Sequence, residues 1–352
     1  MKLVTFEAPT SVGRIRRLGA LLKNDESGGI ADLTASFAKY LAAETDEPTP
    51  REYAQLRTPP DMIGWLRAGH EGRSAAEMAL AYLRSHPGAT GLDGEQLLYR
   101  RDAVKLLAPM PRPASFRDCN CYLEHMSRAQ RPIDAKPRNA PKSDAWYRYP
   151  VYYKGSCTAF TGPEDPALWP YYTEFLDLEL ELGIIVGKEG RNLTVEEAAK
   201  HIAGYTILVD SSCRDGQERE PFGPNKRKDF HSALGPWLVT ADEVDPEALP
   251  CKFEVDGEVW FEGNTGAPHS FSPAQLVAYI SDSETIYPGD LIGTGTIADS
   301  CSMDTHKWVK LGQTARFSMT GLGSMSLKVV PGEHVVSHVK GMPGQIAPQP
   351  KG

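Results

Sequence analysis

The sequence predicts an α+β fold, and three stretches carry that prediction. Leu176–Val186 alternates apolar and acidic residues and then turns wholly apolar, which is strand patterning. Gly204–Val209 is a second apolar run, closed by Asp210. Lys252–Phe261 is divided by Asp256-Gly257, the pair that supplies the positive φ angles of a type I′ turn, so it reads as a hairpin.

Along the chain, residues 1 to 105 form a smaller N-terminal α+β domain with its own character: an opening strand, then helical patterns at Ile30–Leu41, Met62–Leu66 and Ala75–Leu83. Proline-rich turns at Pro48-Thr49-Pro50 and Pro59-Pro60 separate them. The polar, proline- and lysine-rich stretch Pro132–Asp144 is a surface connection suited to act as a lid over whatever precedes it. Thr194 caps a short helix through Ile202, which leads into the strand ending at Asp210. Ser272-Pro273 starts another helix with a cap and a proline at its first position. Residues 341–352 read as a loose tail.

A chain of 352 residues with 41% hydrophobic content holds enough apolar material for a packed core without staples. Its net charge of −8, with no long basic run, argues against nucleic acid and for a small-molecule partner. The start Met1–Glu7 lacks a signal-peptide core, and no apolar stretch approaches the roughly 20 residues needed to span a bilayer. The expected location is cytoplasmic, with no membrane partner. Six scattered cysteines fit free thiols in a reducing compartment, and Cys119-Asn120-Cys121 lacks the second pair that a zinc clip needs. Nucleotide-binding glycine motifs are absent.

In Leu176–Val186 the odd positions Asp177, Glu179 and Glu181 share one strand face. Like charges there repel unless a cation sits among them, and hard divalent ions choose oxygen ligands. Asp210, one helix later at a strand end, is placed to return to the same ion. Oxygen donors of this kind call for Mg2+, or for Mn2+ or Ca2+. The alternative for this segment is an amphipathic strand with a wet acidic face.

The order of these residues, followed by Ser211-Ser212-Cys213-Arg214-Asp215-Gly216-Gln217 and by Lys228-Asp229-Phe230 with Leu234-Gly235-Pro236-Trp237, resembles the fumarylacetoacetate hydrolase family. Upstream, Leu106–Pro113 and Phe116-Arg117-Asp118 with His125 continue the resemblance, and so downstream do Tyr287–Ile292 and Gly293-Thr294-Gly295-Thr296. The resemblance implies a mixed β-sandwich roll as the catalytic domain, residues 106–340, and a homodimer. It also implies a metal at Glu179, Glu181 and Asp210, with Asp118 either a fourth ligand or a cap for the helix of His125. His125 takes the place of the general base, and Asp304 stands where the family has an orienting glutamate, one methylene shorter and so reaching the histidine less well or through water. Lys228 and Gln217 match the cation and amide that hold a developing oxyanion. Tyr153, Thr296 and Arg214 match substrate-contacting positions, Arg214 having as its alternative an ion pair with Asp215. The activity implied is metal-dependent cleavage of a C–C bond in a β-diketo acid of the acylpyruvate or fumarylacetoacetate class. Decarboxylation or isomerisation of a 2-oxo-dicarboxylic acid uses the same metal core, and a silent metal-binding scaffold is the non-enzymatic alternative.

Overall fold

The computed structural model describes residues 1–23, 29–128, 144–215, 220, 223–266 and 271–333. Gln217, residues 132–143 of the expected lid and the tail 341–352 lie outside the described residues. The strands are β1 (Lys2–Thr10), β2 (Gly13–Leu21), β3 (Ile30–Asp32), β4 (Leu98–Tyr99), β5 (Lys105–Leu106), β6 (Ser115–Cys119), β7 (Tyr152–Lys154), β8 (Phe160–Thr161), β9 (Ala167–Trp169), β10 (Leu176–Val186), β11 (Ile202–Cys213), β12 (Ser232–Thr240), β13 (Pro250–Val255), β14 (Glu258–Asn264), β15 (Asp290–Gly293), β16 (Thr314–Met319) and β17 (Gly323–Pro331). A large mixed sheet runs β4-β3-β2-β1-β12-β11-β10-β15-β6-β7, with β5 on β1 and β8 on β12; a second runs β14-β13-β16-β17-β9. The first region therefore feeds strands into the large sheet, through Lys2 opposite Val239 and Leu3 opposite Leu238.

Alternation decides what each face of the sheet touches. Leu178, Leu180 and Leu182 of β10, with Ile207 and Val209 of β11, share a core with Phe253, Phe317 and Met319 of the second sheet. On the opposite face Leu208, Leu234 and Leu238 pack with Trp65, Leu66 and Leu80 of the helical segment Met62–Ser85. The expected hairpin is present, with Asp256 at φ 50 and Gly257 at φ 85. Both expected helix caps form, and each is completed as a capping box, Thr194 with Glu197 and Ser272 with Gln275.

Four details differ from the sequence reading. The helix expected from Ile30 begins at Leu33, because Ile30 and Ala31 pair with β2 and Asp32 turns to cap the helix, accepting from Ala35 N at 3.0 Å. The helical patterns at Met62 and Ala75 belong to two helices that meet without a loop at a kink at Gly69, whose φ of 57 and ψ of −134 are not helical. The proline turn at 48–50 opens a further helix, Pro50–Arg57, with the proline at its start. Asp210 does not end its strand: β11 runs on to Cys213, which sets Asp210 directly across from Glu179.

His231, preceding β12, is buried between Ser211 Oγ (2.8 Å) and Thr161 Oγ1 (3.0 Å), and burial lowers its pKa from 6.5 to about 4. The unfolded chain takes up this proton as pH falls through the ordinary histidine value, whereas the fold resists until about pH 4. Stability is therefore expected to fall with acidification across that window by up to roughly 3 kcal/mol from this residue. His231→Gln should flatten that part of the stability curve in denaturant titrations, and an unchanged slope would contradict it.

Candidate active site

The acidic face of β10 is not wet. Asp177, Glu179 and Glu181 are each at most 1% exposed, and each has its own set of neighbours. Asp177 accepts from the backbone N–H of Ser302 (2.6 Å) and Met303 (3.1 Å) and from Arg214 Nε (2.9 Å). It thus caps, from another strand, the short helix Ser302–Thr305 that has no cap of its own. Glu179 accepts from Arg214 Nη2, from Lys228 Nζ (2.5 Å), from Ser212 Oγ (2.7 Å) and from Thr296 Oγ1 (2.7 Å). Burial alone would raise its pKa, but Arg214 and then Lys228 outweigh burial and hold it well below the carboxylate range.

Glu181 meets a different environment. It accepts from Gly295 N at 3.2 Å and lies beside Asp118 and Asp210, the three offering oxygens within 4.8 Å of one another. Burial, then the neighbouring carboxylates, push Asp118 and Glu181 well above the usual range. Asp118 Oδ1 is buried with no hydrogen-bond donor among the described residues. Three crowded carboxylates with an orphaned oxygen fit a hard divalent cation, whose charge would relieve the repulsion and whose preference is for oxygen. Asp118 sits on β6, opposite Gly293 and Tyr153, and faces this cluster rather than capping the helix of His125.

Gly293 makes room for the cluster. A Cβ there would lie 2.4 Å from Asp118 Oδ1 and 2.6 Å from Glu181 Oε2. Gly293→Ala is therefore expected to displace both carboxylates and weaken divalent-ion binding by roughly 10- to 100-fold. Calorimetric titration checks this; wild-type affinity in the variant would show that these oxygens do not hold the ion.

Beside the carboxylates stands a histidine–aspartate pair. His125, buried on the helix Leu123–Arg128, has Nδ1 2.9 Å and 3.0 Å from the two oxygens of Asp304. The contact is direct, which corrects the expectation of a weaker or water-bridged one. Asp304 also accepts from Asp299 N at 2.9 Å, and its helix is pinned by Asp177, so backbone placement makes up for the missing methylene. Since Asp304 accepts, Nδ1 donates to it, and Nε2 lies 3.8 Å from Glu179 Oε1.

Lys228 Nζ donates to Asp210 Oδ2 and to Glu179, above the ring of Tyr153 at 5.6 Å. Burial opposes its charge, but Asp210 and Glu179 raise its pKa, so it is cationic. Tyr153 OH donates to Asp210 at 2.9 Å. Arg214 does not pair with Asp215, which instead accepts from Thr173 Oγ1 and Glu174 N; its partners are Asp177 and Glu179. Glu124 and Arg128, four residues apart, pair along the helix of His125 at 3.2 Å. A cavity of about 530 Å³ opens onto His125, Glu179, Glu181, Arg214, Lys228 and Thr296. Asp177 as a remote helix cap and Gly293 as a cradle were not read from sequence; only the shared face of Asp177 was visible there.

Residues 114–330 match the fumarylacetoacetate (FAA) hydrolase C-terminal family. A protein of Homo sapiens, oxaloacetate tautomerase FAHD2A, mitochondrial, is 31% identical over 301 residues, which cover 84% of this chain and 81% of that one. Maleylpyruvate hydrolase from Sphingobium sp. SYK-6, solved in complex with manganese (II) ion and pyruvate, superposes with a TM-score of 0.64 at 24% identity, covering 95% of this chain and 100% of that one. A 5-carboxymethyl-2-hydroxymuconate delta-isomerase from Mycobacterium smegmatis gives 0.62 at 22% identity, covering 94% and 100%. The last two likenesses establish the mixed α+β fold. The sequence match over 114–330, together with a relative aligned along most of both chains, shows that this chain belongs to the fumarylacetoacetate hydrolase family.

Proposed function

We propose that the chain is a metal-dependent hydrolase that cleaves a C–C bond of a β-diketo acid in the acylpyruvate or fumarylacetoacetate class. The observation that carries this reading is the direct contact of His125 with Asp304, which leaves Nε2 as a base beside the carboxylates. A divalent cation, Mg2+, Mn2+ or Ca2+, held by Asp118, Glu181 and Asp210 with Glu179 alongside, would supply Lewis-acid charge for the enolate oxygen released on cleavage. His125 Nε2 takes a proton from water, and Asp304 stabilises the imidazolium and keeps its orientation. Lys228, held by Glu179 and Asp210, offers its remaining donor capacity to the oxygen of the attacked carbonyl, a role shared with Gln217. Tyr153, Thr296 and Arg214 shape the acid end of the cavity, and the imidazolium returns its proton to the departing carbon. The same reading includes a homodimer, for which light scattering at micromolar concentration should give twice the chain mass; a monomer at all concentrations would remove it.

A second reading is keto–enol tautomerisation of a 2-oxo-dicarboxylic acid, favoured by the 31% identity to a protein named oxaloacetate tautomerase. It uses His125 as a proton shuttle and needs no attacking water. Incubation with Mg2+ or Mn2+ and either acylpyruvates or oxaloacetate, with products identified by mass and the keto–enol ratio followed by absorbance, separates the two. Cleavage of an acylpyruvate into pyruvate and a carboxylic acid supports the hydrolase. Rapid enolisation of oxaloacetate with every acylpyruvate left intact would replace it with the tautomerase.

A further inference from the structure

His125 stands on a helix of six residues, Leu123–Arg128. So short a helix has little stability of its own and keeps its place through contacts with the rest of the fold. Its entry is held, because Tyr122 OH donates to Thr265 O at 3.1 Å. Its exit is held differently. Of the last three residues, Ser127 turns its Oγ back to Glu124 O at 3.1 Å, and only Arg128 reaches outside the helix by a hydrogen bond among the described residues. Arg128 Nη1 donates to Asp299 Oδ2, while Nη2 lies 3.2 Å from Glu124 Oε2.

Asp299 faces two ways. Its backbone N–H donates to Asp304 Oδ2 at 2.9 Å, and its carboxylate takes Arg128. It does so at a left-handed φ of 66, a conformation that aspartate tolerates better than most side chains. The stretch around it is fixed to β10, through Ile297 N on Leu180 O at 3.0 Å and Ser302 N on Asp177 at 2.6 Å. The loop is thus anchored to the sheet, and the helix of His125 to the loop.

We propose that Arg128 and Asp299 are positioning residues that set the contact between His125 and Asp304. The four groups close a ring: Arg128 binds Asp299, Asp299 binds Asp304, Asp304 binds His125, and a turn of helix joins His125 back to Arg128. Asp299 fixes the carboxylate end of the contact, and Arg128 fixes the helix that carries the imidazole. A guanidinium suits this place because its planar fork serves Asp299 and Glu124 at once. The side chains of Arg128 and Asp299 are 48% and 40% exposed, so the pair adds little to global stability and its effect is local, on the distance and angle at Nδ1. The consequence for turnover rests on the proposed proton transfer at His125, which cleavage and tautomerisation share; the ring itself does not.

The test compares Arg128→Met, Arg128→Lys, Asp299→Asn and the double variant Arg128→Met/Asp299→Asn in the full chain, each checked for a wild-type melting transition. In Arg128→Met and in Asp299→Asn kcat should fall by about tenfold or more with KM near the wild-type value. The double variant should lose no more than either single one, because the same tie is cut in all three. Arg128→Lys keeps the charge without the fork and should recover part of the rate. Proton NMR reads the contact without substrate: the downfield Nδ1–H resonance, assigned by its loss in His125→Ala, should broaden through faster exchange with water in both single variants. Wild-type turnover with an unchanged resonance, additive losses in the double variant, a raised KM at unchanged kcat, or a wild type without the resonance would each overturn the tether. Should Arg128→Met fail to fold, Asp299→Asn, which keeps the amide that binds Asp304, decides the matter. No turnover in the wild type, with the resonance broadened in the variants, would instead sink the proposed reaction and leave the tether standing.

Discussion

His125→Ala is expected to lower turnover of a cleaved diketo acid by roughly 10²–10⁴-fold, the range for loss of a general base. Divalent-ion affinity at the carboxylate trio should stay within the wild-type range, because Asp118, Glu181 and Asp210 are untouched. The pairing of the two readouts is what makes the result informative. Steady-state assays beside calorimetric Mg2+ titration give both, and full activity in the variant would remove His125 from the chemistry. Glu181→Ala should give the opposite pattern, with affinity and activity falling together and excess cation restoring part of the rate.

The second large effect concerns Arg214. Arg214→Met leaves Asp177 and Glu179 buried without their guanidinium, and breaking a buried ion pair from one side costs roughly 3–5 kcal/mol. Activity should fall as well, since Asp177 holds the helix that presents Asp304 to His125. Denaturant unfolding measures the first and steady-state kinetics the second. Adding Asp177→Asn removes one of the orphaned charges and should recover part of the lost stability. A stable, fully active Arg214→Met would mean that Lys228 alone balances this face.

How much of this was legible in the sequence depended on whether local pattern or long-range register decided the outcome. The hairpin at Asp256-Gly257 and the helix caps at Thr194 and Ser272 need only neighbouring residues, and they were read correctly. The sequence reading grouped Glu179, Glu181 and Asp210 with Asp118 as an optional fourth ligand, whereas the crowded oxygens are those of Asp118, Glu181 and Asp210, and Glu179 is held by Arg214 and Lys228. What escaped was set by geometry across the sheet. Arg214 follows β11, whose register with β10 places Ser212 opposite Asp177 and Asp210 opposite Glu179, so its side chain turns back to those two acids and away from its neighbour Asp215. Asp304 reaches His125 because a capped helix sets its backbone, and side-chain length says nothing of that. Ile30–Asp32 looked helical because strand pairing with β2 cannot be seen in a window of a dozen residues.

The pairing of β1 with β12 bears on how this chain can be divided by protein engineering or by evolution. A fragment cut to the family-matching 114–330 would lose β1 to β5, along with the helical segment that covers Leu208, Leu234 and Leu238. The remaining sheet would present a raw hydrogen-bonding edge at Leu238 and Val239 beside a broad apolar surface, a template for edge-to-edge aggregation. Any lineage that discards or exchanges the first hundred residues must therefore furnish another strand for that edge, so the amino-terminal region is a poor candidate for a detachable module even though no proposed reacting group resides in it.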